Sequence, residues 1–221
     1  MKKMILILMA MGMGASAHAA IRREFLDRKF PTQQMIEKQT ISNPAAAGSA
    51  DVLSANAGNT SAAAATVSSF VAQPDVSRNL VITPGGTTAD VATCQVVVSG
   101  TNLQGDSMSE SFAFGNDQSA AVTGSLAFKT VSSVVFPANC EDGGFAATWS
   151  IGFGEKLGVS HCMEKVGHIL FSTLNGSKEG TAPTMAVGAG TSVQGVTADY
   201  NGTMNGSNDF ELFFIQNFRC R

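Results

Sequence analysis

Charge is what this sequence has least of. Only 14% of its 221 residues are Asp, Glu, Lys or Arg, against about a quarter in an average soluble domain. With 14 basic and 17 acidic residues and a formal net charge of −3, no basic face is available to track a phosphate backbone, so nucleic-acid binding loses its main electrostatic support. Histidine is scarce as well. Of the three, His18 falls in the N-terminal leader, which leaves His161 and His168 near one loop. No G-x-S-x-G elbow, no H-E-x-x-H and no acidic pair flanked by aromatic residues occurs, so the local signatures of common hydrolases are missing. Gly152-Phe153-Gly154 lacks the Lys-Ser/Thr of a phosphate loop. The expectation is a protein without catalysis or cofactor.

Long apolar runs are missing too. The run Met4 to Met11 follows Lys2 and Lys3 and falls short of the ~20 residues a membrane helix requires, so no stable membrane span is expected. With Ala17-His18-Ala19 after it, residues 1–19 read as an export signal cleaved before Ala20, or else as an apolar leader on a cytosolic chain.

Residues 20–41 read as an amphipathic arm, and Ile21 to Phe30 within it is the densest charge cluster. Ile21, Phe25, Leu26 and Phe30 recur at helical spacing among Arg22, Arg23 and other charges, which predicts a short amphipathic helix ending before Pro31 and extending after it over Gln33 to Ile41. Its role is an arm that packs on the body of the protein or reaches a neighbouring subunit, with Arg22, Arg23, Phe25, Leu26 and Phe30 as contact residues. Residues 42–74 are rich in Ala, Ser, Gly and Asn, with little beyond Val52 and Leu53 to fill a core in the stretch up to Ala65. That composition reads as a linker or extended arm.

From Asp75 to the C-terminus short alternating runs dominate. Val91 to Ser99 sets Ala92, Cys94, Val96 and Val98 against Val91, Thr93, Gln95 and Val97, and Ser107 to Phe114 follows after a Gly-Thr-Asn-Leu-Gln-Gly turn. Phe128 to Pro137 and a strand carrying Trp149, Ile151 and Phe153 come next, the latter interrupted by Gly152 and Gly154, where a bulge or close backbone approach is expected. His168 to Leu174, Thr184 to Val187, Ser192 to Tyr200 and Phe210 to Phe218 complete the series. Regular strands separated by turn residues, with no long helical pattern between them, predict a mostly β fold: an antiparallel sandwich or barrel over residues 75–221. The last strand is apolar on both faces, with Phe210, Leu212 and Phe214 against Phe213 and Ile215. Such a strand is either central in a sheet or covered by a partner subunit.

Four cysteines, Cys94, Cys140, Cys162 and Cys220, suggest two disulfides in an exported chain, with three connectivities open. Cys140 with Cys162 is the favoured pair because both flank the Trp149 strand, and Cys94 on an apolar face reads as a buried thiol. His161, Cys162 and His168 lack the paired spacing of a metal site. The Asn-x-Ser/Thr sequences at Asn59, Asn175, Asn201 and Asn205 are turn formers.

These residues carry a resemblance. Asp75-Val76-Ser77-Arg78-Asn79-Leu80-Val81-Ile82, Val98-Ser99-Gly100-Thr101-Asn102, Met108-Ser109-Glu110 and Gly124-Ser125-Leu126-Ala127-Phe128-Lys129-Thr130-Val131 resemble the patterns V-x-R-N-h-x-h-T, V-T-G-T-D/N, h-T-E and G-x-x-A-F-K-T-V (h, apolar) of a group of tailed-bacteriophage virion structural proteins. Tyr200-Asn201-Gly202-Thr203 and Asn205 to Leu212 are similar to the C-terminal end of that group. The resemblance implies a homo-oligomeric virion component, capsid-associated, decorating or in the tail or neck, whose partners are the major capsid protein or neighbouring copies of itself. The leader is a departure from that group, and it implies instead a periplasmic or surface β-domain protein acting in adhesion or assembly.

Overall fold

The computed structural model describes residues 35–57, 63–86, 91–141, 147–160, 168–186 and 196–216. The strands are β1 (Met35–Ile41), β2 (Gly48–Ala57), β3 (Ala65–Val67), β4 (Arg78–Gly85), β5 (Cys94–Thr101), β6 (Ser107–Phe114), β7 (Val122–Thr123), β8 (Thr130–Phe136), β9 (Thr148–Gly158), β10 (Ile169–Leu174), β11 (Ser177–Lys178), β12 (Thr184–Ala186), β13 (Thr197–Asp199) and β14 (Phe210–Gln216). No α-helix occurs among the described residues. The protein is mostly β, as the alternation predicts.

Among the described residues these strands form three sheets. One runs β1-β14-β10-β11, a second β12-β13-β9-β4-β7 with β2 also on β9, and a third β3-β8-β5-β6. Strand β9 organises the whole. It pairs along its length with β4, while its other edge takes β2 over Thr148 to Phe153 and β13 over Lys156 to Gly158. Its N-terminal half, with Trp149 and Ile151, packs with Leu80, Val96, Phe112 and Phe136 in one core. Its C-terminal end, with Leu157, joins Ala198, Phe210, Leu212 and Phe214 in a second. Trp149 anchors the first core, edge-on to Phe114 at 4.9 Å and tilted against Phe136 at 5.7 Å. Each such fully buried large apolar side chain contributes roughly 1.5–3 kcal/mol.

Two expectations require correction. The helix expected to extend over Gln33 to Ile41 is replaced by strand β1 from Met35. Here Ile36, Lys38 and Thr40 alternate with Glu37, Gln39 and Ile41, a period of two that pairing with β14 rewards. Residues 42–74 are not a linker, because they carry β2 and β3, paired to β9 and β8. Their small side chains cannot fill a core alone, yet their backbone completes sheet edges. Val52 and Leu53 are consecutive and both buried, which a register shift between Gly48 and Leu53 allows.

A bulge also changes the reading of β8. Its register slips between Ser99 and Gly100 of β5, so Ser132 is the extra residue and Val131 and Val134 both face the core. Strict alternation would put those two valines on opposite faces. By contrast β6 keeps perfect alternation, with Met108, Phe112 and Phe114 buried. Glu110 interrupts that face from mid-strand, where its carboxylate accepts the Ser125 N–H at 2.6 Å, the Ser125 hydroxyl at 3.0 Å and the Leu126 N–H at 3.3 Å.

Candidate interaction surface

Strand β14 lies between β1 and β10, and its two faces differ. Phe210, Leu212 and Phe214 are fully buried in the second core. Of the two readings for these three residues, the central place in a sheet holds and the contact with a partner does not: the core has taken them. Glu211, Phe213 and Ile215 point the other way and stay partly exposed. On that outer face Phe213 stacks on Phe171 of β10 with centroids 4.4 Å apart and planes 19° apart, and the Lys178 ammonium sits 5.3 Å over the Phe171 ring. Lys38 of β1 donates to Glu211 at 2.8 Å, and the Thr173 hydroxyl donates to the other Glu211 oxygen at 2.8 Å. These two bonds, that from Lys38 first, hold the Glu211 carboxyl below its usual pKa. Ile36, on the Lys38 side of β1, is 65% exposed, and Leu170 at the β10 bulge is 40% exposed. The face is thus an aromatic pair bordered by one three-residue polar row, which suits packing against another surface.

Among the described residues one densely bonded side chain touches a member of each core, Phe153 and Met204. Arg78 is fully buried. Its Nε and Nη2 donate to the Gly154 carbonyl at 2.9 and 2.6 Å, and Nη1 donates to the Ala45 carbonyl at 2.9 Å and to Asp75 Oδ1 at 3.1 Å. Its guanidinium lies 5.1 Å over the Phe153 ring, and Nη2 is 3.4 Å from Met204 Sδ. Burying a cation is tolerable only with such pairing. Asp75 in turn accepts the Ala45 N–H at 2.7 Å. Burial raises the Asp75 pKa, but the Ala45 and Val76 amides and Arg78 outweigh it and leave the carboxyl below its usual value. Asn79 extends the clasp by donating to the Gly124 carbonyl at 3.0 Å and accepting the Lys156 N–H at 2.9 Å. The Asp75 to Asn79 segment is therefore a clasp that ties β4 to β9 and to the segment before β2.

Comparison of the chain with family models, curated proteins and solved structures gives no match.

Of the other candidates, the disulfide joins Cys94 to Cys140, with Cα atoms 5.1 Å apart. Cys94 is thus no free thiol, and Cys140 does not pair with Cys162. The partner was misread because the bridge Val91 to Glu141, with the Ala92 N–H bonded to the Cys140 carbonyl at 3.1 Å, brings the start of β5 to the end of the β8 connection. Cys162, Cys220, His161 and Asn59 lie outside the described residues, as do Arg22, Arg23, Phe25, Leu26 and Phe30. Among the described residues no group of three or more His, Cys, Asp or Glu is placed to hold a metal ion, and no helix is long and apolar enough to cross a membrane. The amide of Asn175 opens the tight turn between β10 and β11, with φ of 50° followed by Gly176 at 76°. Asn205 accepts the Ser207 and Asn208 N–H groups at 2.9 and 3.0 Å, and Asn201 donates to the Thr181 carbonyl at 2.9 Å.

Sequence reasoning missed Gln39 and Gln73. The Gln39 side chain donates to the Gly158 carbonyl and accepts the Ser160 N–H, each at 2.8 Å. Gln73 treats both backbone groups of Val131 the same way, at 3.0 and 2.7 Å. Each side-chain amide replaces one residue of a neighbouring strand, a role that no local pattern announces.

Proposed function

We propose that the protein is a structural component of a tailed-phage virion, a capsid-associated or decoration protein that works through contacts between subunits and not through catalysis. The observation that carries this reading is the outer face of β14, where Phe171, Phe213 and Ile215 remain partly exposed beside a short polar row. The strand and turn patterns from Asp75 onward support the same reading. Its partners are the major capsid protein or neighbouring copies in a homo-oligomer, with Arg22, Arg23, Phe25, Leu26 and Phe30 as the arm that reaches the next subunit. It uses no cofactor, binds no nucleic acid and spans no membrane. Rigid paired strands and repeated self-complementary contacts are what a shell component needs. A disulfide such as Cys94–Cys140 suits a particle that persists outside the cell.

The same disulfide, together with the leader, favours a second reading: an exported β-domain protein of the bacterial periplasm or surface, acting in adhesion or assembly. Peptide mapping of purified particles separates the two. The virion reading expects this chain at fixed stoichiometry to the major capsid protein and expects Phe213→Asp with Phe171→Asp to lower its occupancy at least tenfold, about 1.4 kcal/mol, with unchanged circular dichroism. A chain found only in periplasmic or surface fractions, starting at Ala20, removes that reading.

A further inference from the structure

We infer that β1 is an exchangeable strand, able to occupy the edge of β14 in a second copy of this chain as it does in its own. Three observations meet here. First, among the described residues β1 is the outermost strand of its sheet, and it contributes little to the core: Ile41 is buried, while Ile36 is 65% exposed and Lys38 and Thr40 face solvent. Second, the side-chain bonds that Lys38 and Gln39 of β1 make with the other described residues are remote in sequence. Lys38 meets Glu211 across 173 positions, and Gln39 meets Gly158 and Ser160 across 119 and 121. Remote contacts of this kind are satisfied equally well by the same residues of a neighbour, which is the condition for strand exchange.

Third, the chain just after β1 has a pivot followed by an anchor. Asn43 has a φ of 49°, a left-handed conformation that Asn tolerates and most residues do not. Immediately beyond it the backbone is tied down. The Pro44 carbonyl accepts the Gly206 N–H at 2.9 Å, and Ala45 is held through both backbone groups by Asp75 and Arg78, whereas the Asn43 N–H, which donates to Asp209 at 3.2 Å, lies on the β1 side of the pivot and is released by the turn. Turning Asn43 to an extended conformation re-aims β1 away from its own β14 while leaving residues 44 onward seated. A β14 edge vacated in one copy then pairs with the β1 of another through main-chain hydrogen bonds, with Lys38, Gln39 and Ile41 supplying register. The inference concerns pairing between copies and stands whether or not they assemble on a phage particle.

The 2.8 Å contact between Lys38 and Glu211 provides the test. Unlabelled and ¹⁵N-labelled full-length protein are refolded together in equal amounts, the oligomer is isolated, and a carbodiimide joins Lys38 to Glu211 without a spacer. Strand exchange predicts hybrid light–heavy linked peptides, up to about half of the total for random pairing between copies. Linked peptides that are purely light or purely heavy, from oligomers that contain both labels, overturn it. Substitution at the pivot gives a second readout. Asn43→Gly keeps the turn without steric cost and is expected to lower the hybrid fraction, whereas Asn43→Val disfavours it and raises the fraction. The opposite order also overturns the inference.

Discussion

The Gly154 carbonyl oxygen receives two hydrogen bonds from one side chain, Arg78, through Nε at 2.9 Å and Nη2 at 2.6 Å. That pairing joins the first residue of β4 to the middle of β9, and through Ala45 and Asp75 it also fixes the segment leading into β2. Removing the guanidinium leaves two carbonyls without their donors and Asp75 without its cation. Arg78→Ala is expected to cost about 3–5 kcal/mol, from a large buried side chain lost and two carbonyls left without their donors, the Asp75 carboxylate being one third exposed and so hydrated in part. Arg78→Lys carries the charge but not the planar fork, so it should lose about 1–3 kcal/mol. Urea unfolding followed by Trp149 fluorescence measures both, and a midpoint unchanged in Arg78→Lys contradicts the bidentate role.

How much of this was legible in the sequence follows from what each signal depends on. Strands with unbroken alternation, such as β6, were readable because burial on one face imposes a period of two. The Asn175-Gly176 turn was readable because positive φ selects those residues. The β8 bulge was not, since it is set by the register against β5 and by Gly100, where a Cβ would come within 1.9 Å of the Thr130 carbonyl oxygen. The strand at β1 was missed because a short segment with charges at mixed spacing fits two periods until a partner edge is known. Of the candidate surface, the apolar character of β14 was visible, but which of its faces the core would claim depended on how β9 and β13 stack beneath it. Arg78 stood within a recognisable pattern, yet nothing local separates a buried arginine from a solvated one.

Acid should weaken the clasp. The Asp75 carboxyl is held below its usual value of 3.8 once folded, so it binds a proton more readily in the unfolded chain. Its contribution is therefore fully present above the unfolded value and is lost as pH falls through the lower folded value. Urea midpoints taken from pH 6 down to pH 2.5 should decline most steeply below about pH 4. Asp75→Asn should flatten that decline relative to the parent. Glu211, lowered by Lys38 and Thr173, titrates in the same window, so the comparison is best made with Lys38→Met as a second background. An undiminished acid slope in Asp75→Asn would show that the stability change arises elsewhere.

The disulfide closes a chain segment of 46 residues. In the chain-entropy description such a crosslink stabilises by about 4 kcal/mol by restricting the unfolded chain. Cys94→Ala with Cys140→Ala is accordingly expected to lower unfolding stability by about 3–4 kcal/mol and to leave the strand content of the folded form intact. Because Cys140 is fully buried and Cys94 nearly so, reductant should act only after partial unfolding. Non-reducing peptide maps provide the direct check, and recovery of Cys140 linked to Cys162 contradicts the pairing described above.

Gly152 should be the least replaceable residue of β9. A Cβ built on it would lie 1.6 Å from the Gly48 carbonyl oxygen and 2.6 Å from the Ser49 carbonyl carbon, both backbone atoms of β2. At Gly154 the obstruction is the Asn79 side chain, 2.2 Å away, which is pinned by its own two hydrogen bonds but belongs to a side chain. A backbone obstruction cannot rotate aside, so Gly152→Ala must push β2 off the edge of β9 and draw Val52 and Leu53 out of the core with it. The expected loss is about 3 kcal/mol or more, above the usual range for an added methyl group in a core. Gly180→Ala, where no atom lies within 4 Å of the new methyl, serves as the control and should change stability by less than about 0.5 kcal/mol. Hydrogen exchange should then show faster exchange of β2 amides in Gly152→Ala while β5 and β6 remain protected, and equal protection of β2 in both variants would mean that the close approach of Gly152 to Gly48 does not hold β2 in place.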